Sequence, residues 1–230
     1  MKIAIIQFGG SNCDLDVLHI LEDIIKVDVR LVWFKDELKG YDAAIIPGGF
    51  SYGDYLRAGA IAARTPIMNS IKKMEEEGKL IMGICNGFQI LTESGILDGA
   101  LTTNEYPKFR CHNTLLRVEN NEIPFLNKFK KGEIVNIPIA HAEGNFYADD
   151  ATLSKLNENS QIAFRYSEKD GTISKKSNPN GSKENIAGIV NTKKTVIGLM
   201  PHPERASESI LSSKDGLKIF ESMVEYISNS

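Results

Sequence analysis

Cys85 stands in the string Gly83-Ile84-Cys85-Asn86-Gly87, after the apolar run Leu80-Ile81-Met82 and before a helix-like stretch. That is the form of a nucleophile elbow with cysteine in the place of serine. A strand that turns sharply into a helix favours glycine where bulkier residues would clash. Such a turn lifts the nucleophile above the sheet edge and aims the following helix N-terminus at the sulfur, which favours thiolate over thiol. A lone apolar-flanked cysteine is more often inert core; the two flanking glycines favour the reactive reading. Far downstream, Pro201-His202-Pro203-Glu204 supplies a base and an acid two residues apart. The prolines bar a regular helix or strand through His202. Glu204 can then fix the tautomer of His202 and stabilise its imidazolium. Cys85, His202 and Glu204 together point to acyl-transfer chemistry.

Such chemistry also needs donors for a developing oxyanion. Pro47-Gly48-Gly49-Phe50-Ser51-Tyr52-Gly53-Asp54 follows an apolar run. It is no phosphate-binding loop, because Gly-Lys-Ser/Thr does not follow. Two glycines alone could mark only a tight turn. Beside an elbow, the open backbone N–H groups of Gly48 and Gly49 read better as oxyanion donors. His141-Ala142-Glu143 offers two metal-ligating side chains without a third at a recognisable spacing, so no metal centre is expected. The downstream P-C-x-x-C of zinc deaminases is missing. His141 and Glu143 read as lining the site or facing a partner. Cys13 and Cys111 lack the glycine frame of Cys85; Cys13, in the loop after the first strand, could line a site but is not taken as the nucleophile. Cys111 reads as core, His19 as structural, and His112 is unassigned.

The elements that must position these residues alternate in the first half. Ile3–Phe8, Val27–Trp33, Ala43–Ile46 and Leu80–Ile84 read as buried strands. Leu15, Leu18, Leu21, Ile24 and Ile25 give helical spacing, and Pro66–Glu77 reads as a helix stopped by Gly78. This βαβ order predicts an α/β fold: an open, mostly parallel sheet flanked by helices. In the second half, Arg110–Val118, Ile134–Ala140, Gln161–Tyr166, Ile186–Val190 and Thr195–Leu199 read as antiparallel or mixed additions to the sheet, with Thr192-Lys193-Lys194 as a hairpin turn. Lys175–Glu184 reads as an exposed loop. Leu217, Phe220, Val224, Tyr226 and Ile227 suggest a closing helix. Residues 1–230 read as one domain, with no repeat or linker.

The 230 residues carry a formal net charge of -3, and 42% are hydrophobic. That suffices for one substantial core. The charge gives no nucleic-acid footprint, and no apolar run approaches a membrane span. Three scattered cysteines form no C-x-x-C pattern. Lys2–Ile6 reads as a strand and not as a signal peptide. A reducing cytoplasm is the expected setting.

With these residues in hand, the chain resembles the triad-type, class I glutamine amidotransferases. The resemblance rests on Gly83–Gln89 and Pro201–Glu204. The longer strings Pro47–Ala62 and Ile139–Asn145 narrow it to the glutaminase subunits of phosphoribosylformylglycinamidine synthases. It runs from Ile3 to Arg205; Phe8–Asp14 departs slightly from the family's usual form. The resemblance implies the flavodoxin-like fold of that class, with Cys85 as nucleophile, His202 as base then acid, and Glu204 as its orienter. It implies backbone donors around Gly49 and Asn86, and Gln89 as a residue that helps hold the substrate glutamine. It implies hydrolysis of glutamine and delivery of ammonia to a large synthetase subunit, with a small bridging subunit in the complex. That family setting converts formylglycinamide ribonucleotide to formylglycinamidine ribonucleotide in purine biosynthesis. No cofactor is expected on this chain; ATP and Mg are expected on the synthetase, since no ATP-binding loop is recognisable here. Tyr52, Tyr55 and Arg57, with His141 and Glu143, are the candidate partner-facing residues. The rival is a cysteine hydrolase or peptidase of the DJ-1/PfpI-like group, against which Glu204 and Gln89 argue.

Overall fold

The computed structural model describes residues 1–211 and 213–229. Its centre is a nine-stranded sheet ordered β2-β1-β3-β4-β11-β10-β9-β6-β7. The strands are β1 (Lys2–Gln7), β2 (Asp28–Trp33), β3 (Ala43–Ile46), β4 (Leu80–Ile84), β6 (Arg110–Val118), β7 (Ile134–His141), β9 (Ile162–Tyr166), β10 (Ile186–Val190) and β11 (Val196–Leu199). From β2 to β11 the pairing is parallel; from β11 to β7 it is antiparallel. The expected architecture, parallel with antiparallel additions, is the one observed. Strands β3, β4 and β11 are buried at every residue. A strand covered on both faces reads as a continuous apolar run, which is why these were visible in the sequence.

The helices are α1 (Asp14–His19), α2 (Ile67–Glu76), α3 (Asn86–Glu93), α4 (Asp150–Glu158) and α5 (Leu217–Asn229). After α1 the chain widens into a π-helical turn over Ile20–Ile25, ended by Lys26 in a left-handed conformation. The expected apolar stripe there is shifted in phase. Leu15 is exposed, and Val17, Ile20 and Leu21 carry the burial. In α5, Ile219, Phe220 and Met223 are buried, whereas Tyr226 is largely exposed. Sequence patterning passed over α4 and a small ribbon of β5 (Ala100–Thr102) with β8 (Asn145–Tyr147). The α4 signal is short but present. Asp149 caps the helix by accepting from the Thr152 N–H at 2.8 Å, and Leu153 and Leu156 face inward.

Two loop and strand expectations are corrected. Cys111 is exposed rather than core. Its end of β6 extends past β9, which pairs only with Leu116–Val118. The Lys175–Glu184 loop is polar yet buried at its centre: Asn180 and Ser182 are 1% and 3% exposed. Polarity there supplies internal hydrogen bonds and not contact with water. The Asn191–Val196 turn joins β10 to β11 as expected, with Asn191 Oδ1 accepting from the N–H groups of Thr195 and Val196.

Because β1, β3, β4 and β11 are parallel, their carboxyl ends share one sheet edge. The loops leaving that edge carry Cys13, Gly48–Gly49, Cys85 and His202. In open α/β sheets such an edge is where ligands bind. Helix α3 must therefore start close to the sheet. A Cβ on Gly87 would collide with the Ile46 carbonyl of β3, and one on Gly83 would lie 2.5 Å from Leu91 Cδ1. Neither glycine has a positive φ. Their need is clearance, and the unusual backbone falls on Cys85 itself.

Gly87→Ala should destabilise the fold by about 3 kcal/mol, the upper end of what overpacking costs, since a close-packed backbone contact must open. Gly78→Ala is the control: its φ is 75° with open space around it. There the cost should be only the left-handed strain of about 1–2 kcal/mol. Urea denaturation checks this, and equal losses would contradict the close-approach account.

Candidate active site

Cys85 has φ 50° and ψ −102° and caps the N-terminus of α3. A non-glycine residue in such a region costs on the order of 1–3 kcal/mol and persists only when its surroundings over-determine it. Here its N–H donates to the Leu199 carbonyl of β11 at 2.7 Å, and its carbonyl accepts from the Gln89 N–H at 3.1 Å. The side chain is buried, and Sγ donates to the Ala140 carbonyl at 3.6 Å. Asn86 is the first residue of α3, so its N–H has no acceptor within the helix.

His202 leaves β11 on the same edge and is anchored through its N–H to the Pro138 carbonyl at 2.8 Å. Its ring is buried, and Nδ1 lies 2.6 Å from Glu204 Oε1. Among the described residues Nε2 has no hydrogen-bond partner. A buried ring nitrogen in that state is rare in a structural histidine. Burial opposes charge on His202, but Glu204 and then Cys85 outweigh it and hold the imidazolium well above its ordinary range. Cys85 and His202 line one cavity with Asn12, Cys13, Gly49, Phe50, Phe109, Ala140 and Arg205. Gly48 has no room for a side chain against His202 and Cys13: a Cβ would sit 2.8 Å from His202 Cε1 and 3.1 Å from Cys13 Sγ. Gly49 is pressed against Gly10–Asn12, where a Cβ would come within 2.9 Å of the Asn12 nitrogen.

Residues 1–227 match the CobB/CobQ-like glutamine amidotransferase domain. The chain belongs to this family. It is 66% identical to phosphoribosylformylglycinamidine synthase subunit PurQ of Methanosarcina barkeri, over the whole of both chains. It is 55% identical to the PurQ subunit of Methanocaldococcus jannaschii, over 98% of each. Among solved structures it is similar to a chain of PurLQS from Thermotoga maritima, with a TM-score of 0.87 at 46% identity and 98% coverage of each chain. The amidotransferase expectation stands over that of a DJ-1/PfpI-like hydrolase.

Within this amidotransferase domain, the edge brings Gly48, Gly49, Cys85, Asn86, His202 and Glu204 together as the sequence suggested. Cys13 joins them as a lining residue, a role its loop position allowed but did not single out. It is buried, accepts from Arg205 Nη2 at 3.0 Å, and lies 3.9 Å from His202 Nδ1. Its only sequence signal was its place at the end of the first strand. Cys13, His202 and Glu204 bring one donor atom each within 4.8 Å. The 2.6 Å Nδ1–Oε1 contact and the Arg205 bond to sulfur make this a hydrogen-bonded brace and not a coordination shell, which needs its ligands spread around an ion.

Other residues play different parts from those expected. Gln89 does not present its amide to the cavity: Oε1 accepts from Asn86 Nδ2 at 2.9 Å, and Nε2 donates to the Glu143 carbonyl at 2.6 Å. His141 is buried and faces no partner surface. Its Nδ1 meets Asn104 Oδ1 at 3.1 Å, while Asn180 Nδ2 lies 3.5 Å from its Nε2. Tyr52 is half-buried, edge-on to Phe34. Tyr55 is 72% exposed and stays a surface candidate. Arg57 is exposed but held by two 2.6 Å hydrogen bonds to Glu93. His19 bridges Asp23 and Glu208 at the surface, and His112 is exposed.

Burial, and then the positive charge of His202, push His141 down to about 3 from its ordinary 6.5. The folded state therefore prefers neutral imidazole. This contribution to stability is complete above pH 6.5 and is lost as pH falls toward 3, because the unfolded chain binds the proton first. Denaturation midpoints measured from pH 7 to pH 4 should fall more steeply for the wild type than for His141→Gln. Identical slopes would contradict a neutral, buried His141.

Proposed function

We propose that this chain is the glutaminase subunit of a phosphoribosylformylglycinamidine synthase. The observation that carries the reading is the strained Cys85 elbow opening into one cavity with a His202 ring braced by Glu204. The full-length similarity to PurQ subunits supports the substrate and the pathway.

The geometry performs the reaction as follows. Turning Cys85 Sγ from the Ala140 carbonyl toward the unpartnered Nε2 completes a nucleophile–base contact, of the kind that tightens when substrate binds. His202 takes the thiol proton, and sulfur attacks the side-chain carbonyl of glutamine. The N–H groups of Asn86 and Gly49 receive the oxyanion. His202 then gives its proton to the departing ammonia, leaving a glutamyl thioester. Water, deprotonated by His202, cleaves the thioester to glutamate and restores the thiol. Glu204 accepts from Nδ1–H, which leaves Nε2 free to take and return the proton, and it stabilises the charged ring.

Ammonia released to water is lost as ammonium, so the reading includes a partner. A large synthetase subunit holds ATP, Mg and formylglycinamide ribonucleotide, and a small subunit bridges the two. The similarity to a chain of PurLQS supports such an assembly. Tyr55 and Leu56, 72% and 83% exposed at the tip of the loop beside the cavity, form part of the docking surface. The isolated chain is then a poor glutaminase, and docking accelerates it.

Cys85→Ala should abolish glutamine hydrolysis and leave the fold intact. The synthetase assembled with this variant should still form amidine product from added ammonium. Glutamate release by Cys85→Ala at the wild-type rate would sink the assignment.

A further inference from the structure

Four hydrogen bonds run in one chain around the segment Ser51–Ala58. The Ser51 N–H donates to Asn86 Oδ1 at 3.2 Å. Asn86 Nδ2 donates to Gln89 Oε1 at 2.9 Å, and Gln89 Nε2 to the Glu143 carbonyl at 2.6 Å. Glu143 Oε2 accepts from the Ala58 N–H at 3.2 Å. One residue, Glu143, thus holds the first turn of α3 through its main chain and the far end of the loop through its side chain.

The loop needs such a hold. Tyr52, Asp54 and Leu56 have φ of 54°, 53° and 72°. Left-handed backbone costs a non-glycine residue roughly 1–2 kcal/mol. Leu56 gains no burial in return, being 83% exposed. Strain of this kind persists only under restraint from outside the segment. Glu143 can supply restraint because its own turn is rigid. The Gly144 N–H donates to Asn104 Oδ1 at 3.0 Å, and its carbonyl accepts from Asn180 Nδ2 at 2.7 Å. A Cβ on Gly144 would clash with the His141 ring. Burial, and then the negative charge of Glu143, push the Asp54 carboxyl up to about 6.

We propose that Glu143 is a positioning residue for the oxyanion side of the site. By holding Ala58 and Gln89 at once, it fixes Ser51–Ala58 and the Asn86 turn, and so the two backbone strips that flank Cys85. This rests on the reading of Cys85 as the nucleophile of glutamine hydrolysis.

The test uses the full chain in its reconstituted synthetase complex, with two probes. Glutamine turnover builds an oxyanion; alkylation of Cys85 by iodoacetamide displaces iodide at a saturated carbon and builds none. Glu143→Ala should lower kcat for glutamine by about tenfold or more, a fraction of the hundred- to thousand-fold cost of removing a donor outright. KM and the alkylation rate of Cys85 should stay near wild type. Glu143→Gln, which keeps an acceptor for Ala58, should restore most of kcat. If Glu143→Ala does not fold, Gln89→Met cuts the other limb and should give the same split. An unchanged kcat would overturn the proposal. So would a parallel fall in turnover and alkylation, which would place the effect on the thiol. A wild-type complex unable to hydrolyse glutamine would instead refute the underlying reading.

Discussion

The approach of α3 to the sheet at Gly87 and Ile46 is the contact on which the site depends. A helix that begins one residue after a central strand must cross the end of the neighbouring strand, and any side chain at Gly87 would meet the Ile46 carbonyl. Because the glycines supply clearance, Cys85 absorbs the turn with φ 50°. Its N–H stays bonded to β11 and its carbonyl to α3, so the strain is held from both sides. The same crossing sets the free N–H of Asn86 beside the glycine strip that leaves β3. Loosening it would release the sulfur, the donor and the strip together.

Electrostatics completes what packing begins. A buried histidine alone favours the neutral form. Glu204, with its side chain wholly buried, reverses this for His202. His141, also buried but without a carboxylate partner, goes the other way. One histidine is therefore tuned to hold a proton taken up during the reaction, and the other serves as a neutral strut in the turn that bears Glu143. Arg205 adds positive charge at the back, bonded to Cys13 and 3.9 Å from both Glu204 and Asp16.

Much of this was legible in the sequence, and the reasons are local. The central strands are short apolar runs with no alternative reading, and proline and glycine punctuate their ends. Cys85, His202 and Glu204 sit in tight, unusual strings directly after such runs. What escaped depends on contacts between distant segments. Cys13 is near His202 in space and 189 residues away in sequence. Gln89 looks like a polar residue waiting for a ligand until Asn86 and Glu143 are seen to occupy its amide. His141 resembles a ligand or a surface residue because no local pattern announces the buried Asn104 and Asn180 around it. Cys111 looks like core because a strand's own sequence does not say where its neighbour stops.

The central claim is that Cys85 alone carries the acyl group. The most direct measurement is mass spectrometry of the wild-type complex, quenched in acid during glutamine turnover and digested. The account predicts a glutamyl thioester on the peptide containing Cys85 and none on those containing Cys13 or Cys111. Turnover with the adduct on Cys13, or on another residue altogether, would contradict it.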